Sequence, residues 1–250
     1  YVPVVHWVWG GGWLSAMGVM DFAGGTVVHV NAGVAALVAA IVLGRRRGFP
    51  QTAMLPHNMT MTVAGAAMLW VGWFGFNAGS AVAADGVAGM AMLVTHISAA
   101  AGALMWMTVE WIRHGRPGAL GAVTGMVAGL GTITPASGFV GPMGALIIGA
   151  SAGFTCYWAT QLVKQRWVID DSLDVFSVHG VGGALGMLLT SVFVMSSLGG
   201  AGLPEGVSLA SQFGVQALAV VATAAWSALI SYLALKVAGA VVPLRVGVDE

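Results

Sequence analysis

Charge is what this chain has least of. Lys and Arg together number 9, Asp and Glu another 9, and the formal net charge is zero. Charged residues fill 7% of 250 positions, where a soluble domain carries roughly 25%. An ordinary water-soluble globule is thereby excluded, because too few charges exist to cover its surface. The zero balance also argues against nucleic acid as a partner. Cysteine occurs once, as Cys156, which excludes an intrachain disulfide and gives no signal of redox compartment. No initiating methionine, signal peptide or basic leader opens the chain, which starts YVPVVHWVWGGG, so further residues are expected upstream of Tyr1. Nor do the apolar stretches alternate with polar residues as a transmembrane β-barrel requires.

What is present is hydrophobic: 58% of residues, with a mean hydropathy of +0.89. Apolar runs of 18 or more residues recur, each long enough to cross roughly 30 Å of hydrocarbon as a helix. The expected fold is an all-α polytopic membrane helix bundle, with spans at about 21–44, 57–79, 86–112, 119–135, 140–163, 172–197 and 206–238. Residues 1–20 are expected to form an outer loop and mouth, 21–238 to hold the seven helices, and 239–250 to begin a cytoplasmic tail. With seven alternating crossings, Arg45, Arg46, Arg47, Arg113, Arg116, Lys164, Arg166, Lys236 and Arg245 all fall on one side. The positive-inside rule makes that side cytoplasmic, and the agreement of all nine supports the span count. The opposite loops carry Asp21, Asp85 and Glu205 and neither Lys nor Arg, so the outer face attracts cations. The 38 glycines include four-residue ridges, Gly121–Gly125–Gly129, Gly149–Gly153 and Gly182–Gly186, the spacing that lets helices approach closely in lipid.

One device occurs twice. In DFAGGTVVHVNAG, Asp21 is followed eight residues later by His29 and four further on by Gly33; Asp171, His179 and Gly183 repeat the spacing. The first copy enters its span from outside and the second from inside, which is the signature of an inverted repeat with a site at the interface near the midplane. If His29 and His179 are equivalent, each half has five helices, and four helices are expected upstream of Tyr1. Eight helical residues separate each aspartate from its histidine by roughly 12 Å. The aspartates are therefore expected to cap helix starts, Asp21 with an added pull on cations, and Asp174 to lie deeper. A lone intramembrane histidine often just bonds a neighbouring helix, but two at equivalent positions mark an ion or proton path. Neutral imidazoles can hydrogen-bond in tandem and hand on a proton. A metal or haem is the competing use, yet no Cys, His or Glu at a recognisable spacing completes a ligand set, and neither metal nor cofactor is expected. Trp9, ahead of three glycines, and Ser80 can offer a cation an aromatic face and a hydroxyl at the mouth. Phe76 lies one turn below Ser80 and can close the path. His96, inside the third span, is expected to make an interhelical hydrogen bond.

Together DFAGGTVVHVNAG, WFGFNAGSA, TPASGFVGPMGALIIG, DVFSVHGVGG and SSLGG resemble the ammonium transporters of the Amt/Mep/Rh family, nearest the bacterial Amt branch. The resemblance covers the whole chain. It implies an eleven-helix protomer in a homotrimer of the inner (plasma) membrane, with one pore per protomer and the last seven helices present here. It implies that His29 and His179 are the pore histidines, that Trp9 and Ser80 recruit ammonium, that Phe76 is a gate, that Trp73 lines the pore, and that Asp21 is the family's aspartate. Ser177 stands where many members have glycine. Ammonium or ammonia, with methylammonium as a variant substrate, and a PII-type signalling protein at the cytoplasmic tail are the partners the resemblance implies, along with the lipid membrane. The expected activity is ammonium transport rather than enzymatic chemistry, with an ammonium sensor of little flux as the alternative.

Overall fold

The structure, a computed structural model, describes residues 1–245. Among these the regular structure is entirely helical: α1 (Val2–Trp9) and α2 (Trp13–Ala16) are short, followed by α3 (Gly25–Leu43), α4 (Met59–Gly79), α5 (Gly86–His114), α6 (Ala119–Ile133), α7 (Pro142–Arg166), α8 (Phe176–Phe193) and α9 (Leu209–Val241), with one 3-10 turn at Ser196–Leu198. Helix starts follow local chemistry. Asn58, Asp85 and Ser208 each accept backbone N–H bonds of the first turn they cap, and Pro142 sits where its missing N–H is no loss. Gly115 ends α5 in the left-handed conformation that glycine adopts freely.

Among the described residues, six helices are long and apolar enough to cross a membrane. The seventh expected span, 119–135, is shorter: α6 has 15 residues, about 22 Å of rise. Its remaining depth is made up by the buried turn from Thr134 to Ser137, whose Pro135 carbonyl accepts the Phe22 N–H at 3.0 Å. The stretch 1–20 also departs from the expected loop. Val4, Val8 and Leu14 are buried with Val27, Met187 and Ala219, so α1 and α2 are helices packed onto the bundle along one side, while much of their remaining surface is exposed. The Gly10–Gly12 run turns the chain between α1 and α2. Helix α3 begins at Gly25, and Asp21–Gly24 form the turn before it.

Helix α5 is the hub. The glycine ridges of α6 and α7 straddle its Ser98–Gly102 segment: a methyl at Gly129 or Gly149 would meet the Ser98 carbonyl at 2.2 or 2.3 Å, well inside any real contact. Helices α4 and α9 sit outside and bury little of their surface. Three of the arginines join the segment after α3, the segment after α7 and the end of the described chain. Arg46 forms a two-pronged pair with Asp170, Arg45 Nε donates to the Val168 carbonyl at 2.8 Å, and Arg245 donates to the Arg45 carbonyl at 2.7 Å.

Candidate functional site

Each histidine sits on a wide, π-type helical turn, Gly25–Val30 at the start of α3 and Phe176–Val181 at the start of α8. Such turns insert one residue into the helix and are frequent at functional positions. The two turns cross where glycine removes the side chain. A methyl at Gly33 would lie 2.2 Å from Gly180 N, and one at Gly183 would lie 2.8 Å from His29 Cβ. The glycine four residues after each histidine thus lets one repeat seat against the histidine turn of the other.

That crossing sets the rings edge to edge. His29 Nδ1 and His179 Nδ1 are 3.1 Å apart, and the ring planes lie within 24° of each other with centroids 5.1 Å apart. Two imidazole nitrogens at this distance must share one proton, one donating and one accepting. Trp73 stacks on His29 at 5.4 Å and 16°, and lies nearly parallel to His179 at 6.3 Å and 8°. Phe76 closes the group edge-on, 6.1 Å from His29. These four rings, with Val28, Ala32, Met68, Leu69 and Val175, line an almost wholly apolar cavity of about 690 Å³. His29 is 2% exposed, and its second nitrogen, Nε2, is buried without a hydrogen-bond partner.

The aspartates work through the backbone. The Asp21 carboxylate, 4% exposed, accepts the N–H groups of Gly24, Gly25 and Thr26 and the Thr26 hydroxyl. Asp171 accepts those of Val175 and Phe176 at 3.0 and 2.8 Å. Each therefore anchors the start of a histidine turn from equivalent positions, and neither bonds its histidine. Asp174 instead pairs with Lys164 at 2.7 Å.

Of the residues expected at the mouth, the Trp9 indole donates to the Asp21 carbonyl at 2.7 Å, leaving the residue 44% exposed. The Ser80 hydroxyl donates to the Phe76 carbonyl at 2.8 Å. The described bonds thus tie Trp9 to the Asp21 turn and Ser80 to Phe76, not to each other. His96 corrects another expectation. It is exposed and lies against the rings of Trp70 and Phe74 at 5.2 and 6.0 Å, in place of an interhelical hydrogen bond. Ser177, the departure from glycine, is buried with its hydroxyl unpaired. Asn77 and Thr134 were not anticipated: the Trp73 indole donates to Thr134 Oγ1 at 3.0 Å, Thr134 faces Asn77 Oδ1 at 3.3 Å, and Asn77 donates to Thr95 at 2.9 Å. Their only signal in sequence is polarity inside an apolar span. Among the described residues, no group of three His, Cys, Asp or Glu could hold a metal ion.

A sequence profile described as Ammonium Transporter Family matches residues 1–250. An ammonium transporter of Bacillus subtilis (strain 168) is 46% identical over 252 residues, covering 100% of this chain and 62% of that protein. One of Aquifex aeolicus (strain VF5) is 48% identical over 251 residues, covering 100% and 58%. Among solved structures, a Sensor Amt Protein superposes with a TM-score of 0.91 at 34% identity, covering 98% of this chain and 62% of the other. Saccharomyces cerevisiae Mep2 does so with 0.87 at 37%, covering 100% and 58%. The chain spans about six tenths of the length of these relatives.

Proposed function

The chain belongs to the ammonium transporter family, and from that premise we propose that it is the pore-bearing portion of a multi-pass membrane protein that moves ammonium. The family is one of transporters, not enzymes. The cation is drawn to an outer face without Lys or Arg and held against the Trp9 ring, with Ser80 and the edge of Phe76 below it. Moving an ammonium-sized ion into low dielectric has an idealised cost of about 20 kcal/mol. Removing its proton at neutral pH costs roughly 4 to 5 kcal/mol for an amine of pKa about 10. Deprotonation wins, and ammonia enters the apolar cavity.

The observation that carries this proposal is the unpartnered His29 Nε2 beside a Nδ1–Nδ1 bond. When His29 donates through Nδ1, its Nε2 is an acceptor aimed at the substrate, and the proton it receives displaces the shared one toward His179. The pair is thus wired to relay the proton while ammonia slides over the rings, which makes transport electrogenic. Reconstituting the complete transporter in liposomes tests it: ammonium should evoke an inward current, lost on His29→Leu or His179→Leu. Ammonia uptake without current overturns the relay. A sensor is the second reading, favoured by the likeness to the Sensor Amt Protein; saturable ammonium binding without flux would support it.

A further inference from the structure

Helix α9 lies outside the two histidine repeats, yet it sends two buried glutamines to the mouth. Gln216 is 0% exposed and Gln212 3%. The Gln216 amide takes both backbone groups of Met20: Oε1 accepts the Met20 N–H at 2.9 Å, and Nε2 donates to the Met20 carbonyl at 2.7 Å. Its second N–H goes to the Met187 carbonyl of α8 at 3.1 Å. Gln212 Nε2 donates to the Gly18 carbonyl at 3.1 Å and approaches Gln216 Oε1 at 3.4 Å. Every donor and acceptor of the Gln216 amide is used, which is the condition for keeping such a group in an apolar interior.

The target is specific. Met20 precedes Asp21, whose carbonyl holds the Trp9 indole and whose carboxylate starts the His29 turn. Met187 lies eight residues beyond His179 on the partner repeat's helix. One side chain therefore fixes the Asp21 turn relative to α8, and through that turn both the aromatic face of the mouth and the entry to the histidine pair. A purely adhesive contact between α9 and the bundle would need no such pairing with a single peptide unit, since Val4, Val8 and Ala219 already supply apolar packing there.

We infer that Gln216, assisted by Gln212, is a positioning residue for the outer mouth: it sets the place of Trp9 through Met20 and Asp21, and so tunes ammonium capture rather than passage. This rests on the transport proposal above. The test uses the complete transporter carrying Gln216→Leu, alone and combined with Trp9→Leu, with half-saturation and maximal flux normalised to folded protein. Gln216→Leu should raise the half-saturating ammonium concentration by about tenfold while keeping the maximal flux within about twofold. In the Trp9→Leu background it should add almost nothing, because coupled residues are non-additive. An equal loss of maximal flux in both backgrounds, with half-saturation unmoved, overturns the inference. If Gln216→Leu does not fold, Gln212→Leu should shift half-saturation in the same direction by a smaller factor, and no shift overturns it. Hydrogen exchange separates the two claims: Gln216→Leu should speed exchange across residues 20–26 whether or not flux occurs. Unchanged exchange defeats the positioning role alone; faster exchange in a protein without ammonium flux defeats the transport proposal alone.

Discussion

Asp21 and Asp170 are both nearly buried carboxylates, and their partners give them opposite uses. Asp21 faces only N–H and O–H donors from its own turn, so its charge is spread over the start of the His29 helix. Asp21→Asn would turn an NH2 group toward those donors. It should cost roughly 2 to 4 kcal/mol, because several charge-assisted bonds go at once, seen as a lower melting temperature in detergent and a loss of ammonium flux. Asp170 has a cation instead: hydrogen bonding to the Arg46 guanidinium holds its carboxyl below the usual carboxylate range. A depressed folded-state value stabilises at pH above the unfolded value near 4 and is lost as acid titrates the folded group. The Asp170 contribution to melting temperature should therefore be lost only as pH falls below about 4, and Asp170→Asn should remove that acid-dependent component; an equally steep decline in the variant would contradict it. His29, His179 and the aspartates were legible in sequence because the device occurs twice and is costly in an apolar span. Asn77, Thr134 and Gln216 were not, because each acts across 18 to 196 residues of sequence through backbone or hydroxyl partners that no local spacing records.

Among elements, the crossing of α3 and α8 carries the most consequence. Gly33→Ala or Gly183→Ala would drive a methyl into backbone or into the His29 side chain, and neither neighbour is a flexible tip that can swing aside. Each should cut the yield of folded protein several-fold and lower its melting temperature. Gly214→Ala on α9, with nothing within 4 Å of the added methyl, should leave both unchanged. Hydropathy located these helices and glycine spacing pointed to their close approach. It could not show the π-type turns, since one inserted residue leaves the apolar pattern intact while rotating everything beyond it. The same measure lost α1 and α2, where tryptophan and glycine resemble an interfacial loop although Val4, Val8 and Leu14 are core.

For the molecule as a whole, the sequence leads to an expected topology of seven alternating crossings, of which α6 is shorter than a full span. That alternation makes a prediction about sidedness. In cells, Glu205→Cys should react with a membrane-impermeant thiol reagent added outside, and Arg116→Cys only after permeabilisation; buried Cys156 should contribute no background. Labelling of both from outside would break the assignment of the nine cations to one side. The seat of Gly33 against Gly180, beside the bond between the two imidazoles, also restricts how the molecule can move. Transporters that admit cargo by rocking one half against the other need an interface that can slide, and here the peptide planes themselves are in contact at the pivot. The ammonia proposed above as the crossing species, being so small, has no need of such a swing. Under that proposal the backbone can stay still while rings tilt and a proton hops, and flux should persist after the halves are stapled together by a thiol cross-linker away from the histidine pair.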